Sequence, residues 1–469
     1  MKSKRMNRFI ISLLILAAII SLGACSRKSK DYRDRMIDEY NPQGASVAII
    51  ENGKIAEVKN YGKANVEKNR AVTNKTTFKI ASISKVVTAY TVMQLVDEGK
   101  LDLDTPISNY LTRWKLPSSE FHNDKVTLRT LLSHTSGVSR SDEIYKKSFP
   151  DIATALENKQ IHLQREPGTT FEYSEFSGFG ICQLVIEEVT GEKFEDYVVK
   201  NVFQKLGMPD TSYANESVGD CTMATPYAGL GKAVEVTHYV MTGAAGVTTT
   251  STDLAKFVIA LIDYYNTDTE MFQIQKNTKT NLGACCLGIF TQSLSNGSRV
   301  YEHNGTLTGW NAQIVFEPHS RNGMVLVTNS DHGFYLTYDM MNQWGKNVLG
   351  QSIEVNAIAS LCKSMDSIAA VMAVIDGLAL MVLLYRVYRK KLKKIGKRYK
   401  GTMIASISAA ILLGSCLFLF YTDIPFELIF HMKDYYLFTF FTSVLSIILI
   451  ELAAFCGILI ARTRFVRNK

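Results

Sequence analysis

Long apolar runs stand at both ends of this chain, whereas its middle alternates between short apolar and polar stretches. One run covers residues 9–22, and three more cover residues 366–386, 402–421 and 436–461. Each of these three is long enough to cross a bilayer as a helix. The pattern predicts a globular domain over residues 42–352, between an N-terminal export segment and three membrane spans.

Residues 1–25 have the layout of a secretory signal peptide, with basic residues before the apolar run and small residues after it. Their last four residues, Leu22-Gly23-Ala24-Cys25, resemble a bacterial lipobox, in which the cysteine is lipidated and becomes the mature N-terminus. An uncleaved signal anchor is the alternative. Both interpretations export the polar tether of residues 26–41 and the domain that follows it.

Positive charge is concentrated beside the C-terminal spans. The loop of residues 387–401 is rich in Lys and Arg and holds no acid, and the tail of residues 462–469 is also basic. Such a run can bind nucleic acid, but its position between two apolar spans favours a cytoplasmic loop, so no nucleic-acid partner is expected. We therefore predict a multi-pass protein in the lipid bilayer of the cell membrane, with its domain on the extracellular or periplasmic side.

Cysteine spacing gives no indication of a metal site. The eight cysteines include no Cys-x-x-Cys pair beside a matching His or Cys cluster. We expect neither a metal nor an organic cofactor.

Strand patterns flank a helical middle in the predicted domain. Asn52-Gly53 lies between two apolar runs of residues 45–64 and predicts a hairpin. Residues 284–332 again have strand character, with Asn322-Gly323 as the last hairpin turn. Helices are predicted at about residues 86–101, 180–190, 254–264 and 333–349.

A serine and a lysine stand three residues apart where the first of these helices begins. Ser82 and Lys85 would share a helix face near the N-terminus, where the helix dipole favours a developing alkoxide. A lysine partly withdrawn from water can lose its proton near neutral pH and act as a base. The pair predicts an activated serine, although Ser-x-x-Lys alone arises often by chance.

A histidine ends the next predicted helix, in Leu131-Leu132-Ser133-His134-Thr135-Ser136-Gly137. His134 is a catalytic candidate in principle. Its position favours a structural role instead, in which it hydrogen-bonds the local backbone.

Five stretches, in this order and spacing, resemble the serine β-lactamase-related superfamily of penicillin-recognising hydrolases, especially its class C and D-aminopeptidase-like branch. The resemblance spans about residues 42–350. It rests on residues 78–85 with Ser82 and Lys85, on residues 131–137, on Pro167-Gly168 followed by Tyr173-Ser174, on Ser251-Thr252-Asp253-Leu254, and on His303-Asn304-Gly305.

The resemblance implies an α/β (α+β) sandwich. Its antiparallel sheet would combine residues 45–64 with about residues 284–329, and a mostly helical lobe of about residues 86–265 would cover it. The active site would lie between the two.

The resemblance also implies roles for the site residues. Ser82 would form an acyl-enzyme, and Lys85 would accept its proton or keep Tyr173 as a phenolate. His303 would orient the substrate or tune Tyr173. The backbone N–H groups of Ser82 and Thr306 would form the oxyanion hole, and Asn304 and Gly305 would contact the substrate.

One position departs from the family pattern. The family usually has Tyr-x-Asn, and this chain has Tyr173-Ser174-Glu175. A carboxylate only accepts hydrogen bonds, so Glu175 would repel a nearby carboxylate and favour an ammonium in the substrate. Alternatively, Glu175 pairs with Lys85 or another local cation, or activity has been lost.

The layout of an exported domain followed by membrane spans resembles prodrug-activating peptidases of non-ribosomal peptide pathways. We expect a membrane-bound serine hydrolase that cleaves an amide in a small D-residue-containing peptide, a peptidoglycan-like peptide or a natural-product prodrug. The alternatives are an esterase or weak β-lactamase on the same site, and a non-catalytic penicillin-binding-like sensor.

Overall fold

A computed structural model describes residues 31–140, 149–174, 176–228, 231–267, 270–280 and 283–354 of the chain. The predicted signal peptide with Cys25, the substrate-binding candidate Glu175, and the three C-terminal spans with their basic loop and tail lie outside the described residues. Within the described ranges, no helix combines the length and the apolar character that a membrane crossing requires. The chain divides into two units, residues 1–41 and 42–469, and in the first the structure describes helix α1, Tyr32–Tyr40.

Strands from both ends of the second unit meet in one antiparallel sheet. The described strands of this unit are β1 Gly44–Glu51, β2 Lys54–Asn65, β3 Arg70–Ala71, β4 Thr76–Lys79, β5 Thr222–Met223, β6 Tyr227–Ala228, β7 Lys232–Ala233, β8 Thr248–Thr249, β9 Lys279–Thr280, β10 Gly283–Cys285, β11 Phe290–Ser293, β12 Arg299–Leu307, β13 Trp310–Glu317 and β14 Asn322–Thr328, of which β4 to β8 lie outside the large sheet. The large sheet has the order β3-β2-β1-β14-β13-β12-β11-β10-β9. Its N-terminal and C-terminal halves join where Ala45 of β1 pairs with Thr328 of β14, as the sequence predicted.

One predicted hairpin turn is confirmed and the other is wrong. Asn52 and Gly53 both have positive φ angles, 50° and 74°, and they join β1 to β2. Asn322 and Gly323 instead lie inside β14, where Asn322 pairs with Glu317. The turn precedes them and ends at Arg321, whose φ angle of 56° supplies the left-handed residue that the chain reversal needs.

Helices cover both faces of this sheet. They are α2 Ile83–Asp97, α3 Leu128–Leu132, α4 Ile152–Asn158, α5 Ser177–Thr190, α6 Phe194–Val198, α7 Thr242–Ala245, α8 Ser251–Tyr265 and α9 Gly333–Trp344. Short 3₁₀ segments are Ile107–Asn109, Asn123–Lys125 and Glu270–Phe272, and π-helical turns are Val199–Phe203 and Gly345–Leu349. Helices α2 and α8 pack on the inner face of the sheet, whereas α9 packs on the outer face against β13 and β14.

Helix α2 lies in the middle of the hydrophobic core. Its residues from Ile83 to Met93 are all buried, so it has no solvent-exposed stripe over this length. A helix that is apolar all round is stable only when other elements surround it. Here the sheet lies on one side, and helices α5 and α7 of the helical lobe lie on the other.

Candidate active site

Ser82 lies at the start of α2, directly after a strained residue. Strand β4 ends at Lys79, and buried Ala81 then adopts a φ angle of 47°. A left-handed alanine is uncommon and costs of order 1 kcal/mol or more, so the surrounding packing must hold this turn. Ser82 is left partly exposed, and among the described residues its backbone N–H has no acceptor.

Lys85 lies one turn further along α2 and is 1% exposed. Its Nζ is 3.1 Å from Ser82 Oγ and also donates to the carbonyl oxygen of Ala244, at 3.1 Å. The same Nζ lies over aromatic rings, 5.1 Å from the ring centroid of Tyr173 and 5.7 Å from that of Phe176. The predicted serine–lysine contact is therefore present in a largely water-free setting.

Tyr173 comes to this site from the segment before α5, and three rings surround its side chain. The ring centroid of His134 lies 4.3 Å away, that of Phe290 6.3 Å away and that of His303 6.4 Å away. With Lys85 over one face, the phenol ring lies between the helical lobe and strand β12. The structure thus brings Ser82, Lys85, Tyr173 and His303 together.

The side chain of His134 does not bond the local backbone, contrary to the sequence interpretation, but a segment forty residues away. Its Nδ1 accepts the backbone N–H of Ser174 at 3.1 Å, and its own carbonyl accepts the N–H of Glu172 at 2.8 Å. Both neighbours of Tyr173 in the chain are thereby bound to one residue. The φ angle of His134 is 57°, a left-handed conformation that turns its ring towards this segment.

The electrostatic setting keeps both histidines neutral. Burial, reinforced by the charge of Lys85, holds the pKa of His134 well below its usual value. Burial likewise lowers the pKa of His303 to about 3, although a hydrogen bond to the Asn304 carbonyl partly opposes this. The His303 ring therefore supplies hydrogen-bonding atoms and no charge at neutral pH.

The hydrogen bonds of His303 define its tautomer. Nδ1 lies 2.6 Å from the carbonyl oxygen of Asn304, which can only accept, so Nδ1 carries the proton. Nε2 then presents a lone pair, and among the described residues it has no partner. A buried, unpaired acceptor beside Tyr173 is suited to receive a hydrogen bond from a bound molecule.

Gly305 allows strand β12 to lie directly against the turn that holds Ser82. A Cβ atom at this position would be 2.0 Å from the carbonyl oxygen of Ile80 and 3.2 Å from the Cβ of Ala81. No side chain fits in that space. The following residue, Thr306, is consequently held near the start of α2.

The register of β12 leaves one edge open at Thr306. Leu307 and Trp310 close a two-residue hairpin, so the backbone groups of Thr306 point away from β13. On that other side, the pairing with β11 ends at Glu302. The N–H of Thr306 is thus directed to the open side of the strand, as an oxyanion-hole donor requires.

The side chains of Asn304 and Thr306 are engaged with each other. Asn304 Nδ2 donates to Thr306 Oγ1 at 3.2 Å, and Thr306 Oγ1 donates to Asn311 Oδ1 at 3.0 Å. Because strand residues alternate, both side chains lie on the face opposite His303. The backbone groups of Asn304 and Thr306 are therefore the parts available on the open side.

Sequence reasoning missed the carbonyl of Ala244 and the ring of Phe290. Ala244 belongs to Gly243-Ala244-Ala245-Gly246, a run of small residues that lets the backbone approach α2, and this run was a detectable signal. Phe290 packs against both Tyr173 and His303, with its centroid 5.4 Å from that of His303. No pattern within its short strand distinguishes it from an ordinary core residue.

Among the described residues, one cluster brings potential metal-binding atoms together: Asp210, Asp220 and Cys221. Lys75 already bonds the two carboxylates, at 2.9 Å and 3.3 Å. The ammonium group of Lys75 neutralises the negative charge that would attract a metal cation. The cluster is also separate from the Ser82 site.

Fold and site together define a protein of the β-lactamase/transpeptidase fold. A family model described as Beta-lactamase matches residues 32–344, and the chain belongs to this family.

Individual relatives are distant. Protein flp of Staphylococcus aureus (strain COL) is 27% identical over 304 residues, which cover 61% of this chain and 59% of that protein, so the chain spans less than two thirds of this relative. The octameric penicillin-binding protein homologue from Pyrococcus abyssi superposes with a TM-score of 0.59 at 24% identity, over 68% of this chain and 76% of that chain. A class C beta-lactamase mutant superposes with a TM-score of 0.56 at 22% identity, over 66% of this chain and 94% of that chain. At these identities the two structures support the fold alone.

Proposed function

We propose that this chain is a serine hydrolase on the outer face of the cell membrane that cleaves an amide bond through an acyl-enzyme on Ser82. The observation that carries the proposal is the 3.1 Å contact between Lys85 Nζ and Ser82 Oγ, with Lys85 buried. A hydroxyl this close to a buried amine has a partner that can take its proton as it attacks a carbonyl.

The first chemical step forms an ester between Ser82 Oγ and the substrate carbonyl carbon. The Ser82 proton passes to the unprotonated amine of Lys85, or to Tyr173 held as a phenolate by protonated Lys85, and then to the nitrogen of the leaving amine as the amide bond breaks. Water next attacks the ester, the acid product leaves, and Ser82 Oγ regains a proton. The side chains of Ser82, Lys85 and Tyr173, which exchange these protons, lie within one small cluster.

Charge develops on the carbonyl oxygen during attack. The backbone N–H groups of Ser82 and Thr306 are the proposed donors to it, because the first has no acceptor in the described part of the chain and the second points to the open side of β12. Removing one preorganised donor of this kind lowers the rate about 10²- to 10³-fold.

Neutral His303 is proposed to position the substrate. Its Nε2 lone pair accepts an N–H or O–H of the substrate, or of Tyr173 during proton transfer. Because its pKa is about 3, it does not attract a substrate carboxylate by charge in the neutral range.

We propose a peptide that contains a D-residue as the substrate class, whether a cell-wall peptide or a natural-product prodrug. The support is the predicted layout, with a signal sequence or lipidated Cys25 before the domain and three membrane spans after it. This layout would hold the site beside the outer face of the cell membrane. Glu175 is proposed to recognise a substrate amine. Glu175→Gln should then weaken turnover of free-amine peptides more than of N-acylated ones, and equal losses would reject that role.

Labelling of Ser82 tests the proposal against the non-catalytic alternative. Full-length protein in membranes is treated with a fluorescent penicillin and a fluorophosphonate, beside Ser82→Ala and, as a matched control, exposed Ser118→Ala. Label that is lost only in Ser82→Ala supports the hydrolase. Absence of Ser82-dependent label with both probes favours the sensor.

Turnover of paired amide and ester substrates separates the peptidase from the esterase. The location is tested by metabolic labelling with a fatty acid, with Cys25→Ser as the control, and by protease accessibility of the domain in intact cells.

A further inference from the structure

An open cavity of about 710 Å³ lies beside the Ser82 site. Its walls come from the segment that leads to Tyr173 and from the segment that leads into edge strand β9. The lining residues are Thr169, Thr170, Phe171, Gln275, Lys276, Asn277, Lys279 and Thr280.

Phe171 connects this cavity to the catalytic cluster. It lines the cavity, and its ring centroid is 6.0 Å from that of His134 and 6.2 Å from that of Phe290. Those two rings pack directly on Tyr173. A chain bound at Ser82 that continues past Phe290 therefore reaches the cavity.

The charge of the cavity is purely positive among the described residues. Lys276 and Lys279 line it, no described carboxylate does, and neither ammonium pairs with a carboxylate in the described part of the chain. The two acids that flank residues 169–171 in the chain are occupied: Glu166 pairs with Lys125, and Glu172 pairs with Arg165.

The two walls are fixed to each other. Asn277 has a φ angle of 59°, and its Nδ2 donates to the carbonyl of Gly168 at 2.8 Å. Gly168 is in turn bound through its N–H to the carbonyl of Thr135, at 2.7 Å. The cavity is thus a preformed feature between two tethered loops, which reduces the ordering cost of binding.

Protection of the sheet edge does not explain both lysines. Lysine on an edge strand discourages pairing with another sheet, which accounts for Lys279 in β9. Lys276 precedes the strand and lies in the cavity wall, where such protection is not needed.

We propose that this cavity is a subsite for a carboxylate carried by the peptide substrate, away from the amide that is cleaved. The two lysines supply positive charge, and the hydroxyl of Thr170 supplies a neutral donor. This inference rests on the proposed function and adds to it: the substrate would be an anionic peptide.

Binding to full-length Ser82→Ala in detergent measures the subsite without turnover. The probes are two N-acetylated five-residue peptides with D-alanine on the acyl side of the central amide, one ending in a free carboxylate and the other in a carboxamide. Calorimetry should give at least about 5-fold tighter binding of the carboxylate peptide at low salt, and high salt should abolish the difference.

Charge variants locate the effect. Adding Lys276→Ala and Lys279→Ala should weaken the carboxylate peptide about 5- to 30-fold and the carboxamide peptide less than about 2-fold. Arginine at both positions should restore the preference. Lys193→Ala with Lys205→Ala, two exposed lysines outside the cavity, removes the same charge and should leave the preference unchanged.

The outcomes separate this inference from the function on which it rests. No carboxylate preference, or equal losses for the two peptides, overturns the subsite even when penicillin labels Ser82 in the unsubstituted chain. Absence of that label with the carboxylate preference intact overturns the hydrolase and leaves an anionic-peptide site.

Discussion

The backbone N–H of Ser174 donates to Nδ1 of His134 across forty residues of sequence, at 3.1 Å. This bond, together with the bond from Glu172 N–H to the His134 carbonyl, fixes the chain on both sides of Tyr173. The ring of His134 also lies against that of Tyr173. His134 is thus a positioning residue for the tyrosine.

His134→Asn should fold and acylate slowly. Asparagine tolerates the left-handed φ angle and keeps an acceptor near the position of Nδ1, but it removes the ring that packs on Tyr173. His134→Phe keeps a ring and leaves the Ser174 N–H unpaired, which should cost about 1–3 kcal/mol in the free energy of unfolding. Urea unfolding and penicillin acylation rates measure the two effects, and an unchanged acylation rate in both variants would contradict the positioning role.

Lys85→Met should lower the acylation rate by about 10²–10⁴, because Ser82 loses the group that takes its proton. Lys79→Met is the matched control. Lys79 is also buried and donates to a carbonyl of the same loop, that of Gly246, at 3.1 Å, but the structure gives it no bond to Ser82. Lys79→Met should change the rate less than about 10-fold, and a comparable loss in both variants would mean that the effect is structural.

Gly305→Ala should abolish labelling of Ser82, since the added Cβ meets the carbonyl of Ile80 at 2.0 Å and must push β12 away from α2. Gly323→Ala tests the same change in another strand of the sheet, where the nearest atom is the Val315 carbonyl oxygen at 3.0 Å. Label intensity and circular dichroism distinguish local displacement from unfolding. Full labelling of Gly305→Ala would show that β12 does not need this close approach.

Glu302→Gln should change how stability depends on pH. Burial raises the pKa of Glu302 to about 7, although Gln313 donates to its carboxylate at 2.9 Å. The folded state therefore holds a proton that the unfolded state releases above its ordinary pKa, so this contribution to stability is complete at low pH and is lost as pH rises from about 4.5 to about 7.

Glutamine does not titrate, so the difference between the two proteins isolates this effect from that of His303. The pKa of His303 is lowered, and its contribution runs the opposite way: it is present above the ordinary histidine pKa and is lost as pH falls towards about 3. The free energy of unfolding is measured for both proteins at pH 5 and pH 8. The difference between Glu302→Gln and the original protein should shift by about 2 kcal/mol in favour of the variant when the pH rises from 5 to 8. A pH-independent difference would contradict the raised pKa of Glu302.

The sequence predicted features that depend on local chemistry. Asn52-Gly53 gave a correct turn because both residues tolerate positive φ angles. The side chains of Ser82 and Lys85 are in contact because residues three apart lie about one helical turn from each other. Asn322-Gly323 has the same residue pair as the first turn and lies in a strand, since the left-handed position was taken by Arg321.

Long-range contacts were the part that the sequence did not predict. The partner of His134 is forty residues away, and the carbonyl of Ala244 that binds Lys85 is 159 residues away. No local pattern encodes such distances. The resemblance to a family could imply which residues gather at the site, but it could not identify the hydrogen bonds that hold them.

The pairing of Ala45 with Thr328 governs the order in which the domain can fold. During synthesis, strand β1 is made early, and its partner β14 emerges only after nearly the whole domain. Until then, one edge of the β1–β2 hairpin stays open to wrong partners, and the loop that must close spans most of the chain. Such a topology folds slowly, and its nascent hairpin is the segment that a chaperone would most need to shield.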